Sequence, residues 1–119
     1  MNRNEFIYDV GKGQRIIRPE YYKIPAKSFL YSVSEDWPGA KGLHSVRFIE
    51  TQKTGLVLIN RLEYGGELLL SVPTSCFSEA PIMDFIPRER RFPFTIELRN
   101  RSDIDVDVVA LLDLELLNV

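Results

Sequence analysis

Apolar and polar residues alternate with a period of two through most of this chain, and no segment sustains the rhythm of an amphipathic helix. The alternating and continuous apolar runs are short and separated by turn residues, which predicts strands. "EFIYDV" (5–10) reads as a strand ending at the turn Gly11-Lys12-Gly13. "QRIIR" (14–18) and "YYKI" (21–24) follow, interrupted by Pro19 and closed by Pro25. Proline removes a ladder donor, so these pieces belong at a sheet edge or in an extended arm. In "SFLYSVS" (28–34), Phe29, Tyr31 and Val33 point one way and the serines the other.

The polar, glycine-rich stretch 35–45 reads as a loop. "VRFIE" (46–50) and "GLVLINRLEY" (55–64) suggest a hairpin across "TQKTG", and Gly65-Gly66 suggests a second one into "ELLLSV" (67–72). Residues 73–81 read as a loop, "IMDFI" (82–86) as a short strand, and 88–92 as a connection. "PFTIELR" (93–99) and a long final strand (104–117) flank the turn "NRSD". About eight short strands at this spacing predict an all-β fold, an antiparallel β-sandwich, with a single jelly roll preferred. An immunoglobulin-like sandwich also fits the spacing, but no cysteine pair supports it. One domain is expected, with residues 1–27 as an extended arm with edge strands and 28–119 as the sandwich core.

The final strand raises a question. Its even positions Ile104, Val106, Val108, Ala110, Leu112, Leu114 and Leu116 form one apolar row. The other row holds Asp105, Asp107, Asp113 and Glu115, but Val109, Leu111 and Leu117 break it. Burying a large aliphatic side chain is worth about 1.5–3 kcal/mol, so a water-facing row should not carry them. Either the N-terminal arm (5–24) or a loop lies over this face, or the face is a subunit interface. Exchange of the arm between subunits would satisfy both readings.

Composition narrows the function. The chain has 119 residues, 45% hydrophobic and 27% charged, with a net charge of -2. That profile predicts a globular domain without a global field for nucleic acid, so no specific nucleic-acid partner is expected. No run is long enough for a membrane span, and no secretory signal is evident. Synthesis in a cytoplasm is therefore expected. The single cysteine, Cys76, rules out an internal disulfide and a multi-thiolate zinc site.

Chemistry-bearing residues are sparse. His44, the one histidine, could act as a base with Glu35 or Asp36, but a solvated loop histidine is the simpler reading. Asp103, Asp105 and Asp107 could offer oxygens to calcium, although such spacing usually marks a solvated strand face. "GKGQR" lacks the spacing and hydroxyl of a phosphate loop. Cys76 and Ser75 have no histidine near them in sequence. "NRS" (100–102) matches a glycosylation sequon but reads as turn chemistry. No cofactor and no metal are expected, and a cupin-like enzyme is disfavoured by the lack of a histidine cluster.

Two surface features remain. Arg88, Arg90 and Arg91 form a solvated connection or reach an acidic patch on a neighbouring subunit, with phosphate-bearing partners as a further option. Trp37, with Tyr31, Glu35 and Asp36, either plugs one end of the sandwich or stacks on a sugar or small ligand.

The segment "FPFTIELRNRSDIDVDVVALLDLELL" (92–117) resembles the closing hairpin of viral and phage single jelly-roll structural proteins. The two-sided strand and the proline-broken arm match as well, and there is no diagnostic motif. The resemblance implies a non-enzymatic, self-assembling homo-oligomer, a capsid or virion accessory component that meets other virion proteins. The interface residues expected on this basis are Val109, Leu111 and Leu117, with Arg88, Arg90 and Arg91 setting register. The alternative is a carbohydrate- or small-ligand-binding β-sandwich built around the Trp37 loop.

Overall fold

The computed structural model describes residues 6–10, 13–34, 40–64, 67–68, 71–82 and 94–116. The chain is an all-β sandwich of two antiparallel sheets. Nine strands are described. They are β1 (Phe6–Val10), β2 (Gly13–Ile24), β3 (Phe29–Ser34), β4 (Ala40–Glu50), β5 (Val57–Glu63), β6 (Glu67–Leu68), β7 (Val72–Pro73), β8 (Phe94–Asn100) and β9 (Val106–Leu116). One sheet has the order β1-β2-β9-β4; the other has β3-β8-β5-β6, with β7 also paired to β5. Ile82 adds an antiparallel bridge to Val46 on the free side of β4.

The core lies between the sheets because each strand turns its apolar row inward. From β9 come Val106, Val108, Ala110, Leu112 and Leu114, all at 0% exposure. Phe94, Ile96 and Leu98 of β8 and Val57, Ile59 and Leu62 of β5 are equally buried on the facing sheet. Ala110 pairs in register with Phe48, so a small side chain stands beside the large one in the same row. Such alternation lets a close-packed interior fill without strain.

Several expected connections take a different course. β4 and β5 do not form a hairpin: β4 pairs with β9 and β5 with β8, so residues 51–56 cross between the sheets. The buried Glu50 carboxylate organises that crossing by accepting from the Thr54 N–H at 2.6 Å and the Gly55 N–H at 3.1 Å. Lys53 (φ 53°) and Gly55 (φ 71°) adopt the left-handed conformation that reverses the chain there. β8 and β9 likewise form no hairpin, since they lie in different sheets. Residues 40–45, expected in a loop, extend β4; register shifts at Ala40/Gly42 and Leu43/Ser45 let this irregular stretch pair with β9.

Pro19 does not divide two strands but lies inside β2. The described pairing of β1 with β2 ends at Phe6↔Ile17, so among the described residues Pro19 has no strand beside it on that side, where a missing donor costs little. Ile104, expected in the core row, is 50% exposed and precedes β9. Leu116, at the other end of the row, is only partly buried.

Tyr22 points inward from β2 and is 7% exposed. Burial first, and the nearby Glu20 carboxylate second, hold its phenol well above the ordinary value, while Ser32 works weakly in the opposite direction without completing a hydrogen bond. Because the folded-state value is raised, the unfolded chain releases this proton first as pH climbs through 10.0, and folding stability falls from there upward. Tyr22→Phe should remove that component, which is at most about 1.4 kcal/mol per pH unit. Urea midpoints at pH 8 and pH 11 check this: wild type should lose more than the variant between the two.

Candidate interaction face

The outer face of the β1-β2-β9-β4 sheet follows from the pairing register, because cross-strand partners share a face. Tyr21, Val109 and Ile49 form one row across β2, β9 and β4. The adjacent row is Pro19, Leu111 and Arg47, and the next is Ile17, Asp113 and Ser45. Tyr21 is 64% exposed and Ile49 42%, whereas Val109 and Leu111 are half-buried between their neighbours. The apolar break in β9 is thus the centre of a patch that spans three strands. Its widest exposed side chains, Tyr21 and Ile49, come from the flanking strands β2 and β4.

The described part of the arm does not lie over this face. Residues 15–24 pair edge to edge with β9, from Arg15↔Glu115 to Ile24↔Val106. Beside Leu111 the chain shields itself in part: Glu79 and Pro81 wall a groove of about 260 Å³ over Ile17 and Leu111, with Arg47 and Asp113 at its polar side. Around the patch, charges of both signs are interleaved. Arg15 pairs with Asp113 at 3.2 Å, and His44 Nε2 meets Glu115 Oε1 at 2.9 Å. Lys23 and Asp107 are cross-strand partners at the far end.

His44 is therefore not a solvated loop residue. It occupies the extra position of a register shift in β4, which turns its half-buried ring onto Glu115 of β9. The aspartates Asp103, Asp105 and Asp107, before and at the start of β9, also resolve into separate contacts. Asp103 pairs with Lys27 at 3.2 Å, Asp105 accepts from the Ala26 N–H at 3.0 Å, and Asp107 exchanges hydrogen bonds with Gln52. Among the described residues, no group of three or more His, Cys, Asp or Glu is placed to hold a metal ion.

Cys76 is exposed in the short 3-10 turn Thr74–Phe77. Asn100, the sequon asparagine, is fully buried at the end of β8 and works as turn chemistry. Tyr31 is 55% exposed on β3, between Phe29 (67%) and Val33 (41%). The remaining expected site residues, Glu35, Asp36, Trp37, Arg88, Arg90, Arg91 and Leu117, lie outside the described residues. Among the described residues, no helix is long and apolar enough to cross a membrane. Comparison with protein-family models, curated proteins and solved structures returned no match.

Proposed function

We propose that this chain is a non-enzymatic structural protein, built as a single jelly roll, that assembles with further copies of itself. Capsid and virion accessory proteins form the class this reading points to. The carrying observation is the three-strand apolar patch Tyr21–Val109–Ile49 with Pro19 and Leu111. Its occupant on this reading is a second copy. The surrounding charges, Lys23, Asp107, Arg15, Asp113, Arg47 and Glu115, balance in sign, so the face does not repel itself. The jelly-roll reading draws support from the strand order. β2, β9, β4 and the Ile82 bridge follow one another in one sheet, and β3, β8, β5 and β6 in the other, as two interleaved Greek keys would require.

Light scattering over a concentration series should give a stable oligomer for the wild type. Tyr21→Asp with Ile49→Asp should weaken association at least tenfold, about 1.4 kcal/mol, while far-ultraviolet circular dichroism and the melting temperature stay near wild type. A wild-type chain that remains a monomer at every concentration would overturn the reading.

A carbohydrate-binding sandwich is the second reading, favoured by Tyr31 standing exposed beside Phe29 on β3. A glycan array on which Tyr31→Ala loses the wild-type signals would support it.

A further inference from the structure

β3 ends the β3-β8-β5-β6 sheet, and among the described residues it pairs only with β8. The hydrogen-bond phase of that pairing sets what β3 offers on its other side. The Asn100 N–H donates to the Ser28 carbonyl at 2.8 Å, and the register runs without interruption from Phe29↔Arg99 to Ser34↔Phe94. In an antiparallel ladder, hydrogen-bonded positions alternate. Leu30, Ser32 and Ser34 therefore turn their backbone groups toward β8, whereas Phe29, Tyr31 and Val33 each turn one N–H and one C=O outward. The same three residues carry the exposed apolar side chains.

Natural sheet edges usually carry a device against strand addition: an inward charge, a proline, a bulge or very short length. β3 carries none of these. Residues 28–34 contain no charged residue and no proline, and the ladder with β8 has no bulge. The charged residues Glu97 and Arg99 stand one strand back, opposite Tyr31 and Phe29, where they would form a polar rim.

We propose that the β3 edge is a second interface at which two copies of this chain pair antiparallel about a twofold axis through Tyr31. In that register Tyr31 faces its own copy, and Phe29 faces Val33 at both ends. Every outward N–H of the three residues then meets an outward C=O, so the edge is complementary to itself in backbone and in side chains. Of the registers that pair odd positions with odd positions, this one uses all three residues. Leu30 and Ser32 would meet on the inner side, where Leu30 already packs against the core. The interface lies on the other sheet from the Tyr21 patch and does not depend on it.

The test uses the full chain carrying Tyr21→Asp and Ile49→Asp, so that the first face contributes nothing. Sedimentation velocity over a concentration series should still show a monomer–dimer equilibrium. Val33→Pro removes only an outward donor, because the Val33 N–H does not serve the β8 ladder. It should weaken the dimer at least tenfold while the melting temperature holds. Tyr31→Lys leaves the backbone intact but places two like charges opposite each other, and should do the same. Hydrogen exchange gives the direct readout: the Phe29, Tyr31 and Val33 amides should slow as concentration rises. The proposal falls if the background chain stays monomeric at millimolar concentration, if both edge variants associate like their parent, or if those amides exchange freely throughout. Protection of the same amides by a glycan and not by concentration would overturn it in favour of the sugar-binding reading.

Discussion

Leu112→Ala is expected to cost the fold about 2–5 kcal/mol, the range for deleting a fully buried leucine. Leu111→Ala, one residue away, should cost no more than about half of that, since only a half-buried side chain is removed. The difference arises from the pleat. Leu112 sits at 0% exposure in the inner row of the central strand β9, paired with Arg18 and Val46 and facing the other sheet. Leu111 looks outward between Pro19 and Arg47. Domains of this kind are held by about 5–15 kcal/mol in all, so the inner change removes a large part of the margin and the outer one does not. Urea denaturation of both variants measures this directly. Equal losses would mean that β9 is out of register by one residue, because a slip of one exchanges its two faces.

Asn100→Ala should be of similar size, about 3–5 kcal/mol, at one or more kcal/mol for each buried polar group left unpaired. The Asn100 side chain is fully buried where β2, β8 and the turn into β9 converge. Its Nδ2 lies 2.8 Å from the Ile104 carbonyl oxygen and 3.1 Å from those of Ile24 and Pro25. Its Oδ1 accepts from the Ser102 N–H at 2.9 Å and from the Ser102 hydroxyl at 2.6 Å. Alanine strands both sides of this cluster at once. Asn100→Asp is the sharper variant: it keeps the acceptor for Ser102 but turns a second acceptor toward three carbonyls. It should destabilise at least as much as alanine, whereas a role in bulk packing alone would leave it near wild type. Ser102→Ala should be milder, and the double variant should fall short of the sum, because both residues serve one network. Thermal melts of the four proteins decide it.

The two proposed interfaces have a joint consequence. A subunit that presents one self-complementary patch on each sheet has two partners, so assembly leads to a closed ring or an open chain instead of a simple dimer. Removing either interface alone should leave dimers, and removing both should leave monomers. The size of the product therefore reports on each face separately.

The sequence by itself determined the all-β class, most strand positions and the two-sided character of β9, because alternation is written into consecutive residues of one strand. It also located Val109 and Leu111 as a break in the pattern. What it left open depended on which strands meet. The jump of β4 and β5 into different sheets rests on Glu50 capping the turn at Thr54 and Gly55 and on pairing with β8 and β9, which lie far along the chain. Pro19 is accommodated inside β2 at a position that, among the described residues, has no β1 partner. Tyr21 and Ile49 join the patch through register across β9, a relation between residues 28 positions apart in sequence. On β3, alternation shows that the two faces differ, but the outward turn of Phe29, Tyr31 and Val33 is set by the ladder with β8. Local pattern fixes the period of a strand. The partner strands fix its sheet, its phase and the face it shows to water, since these depend on hydrogen bonds and packing between distant segments.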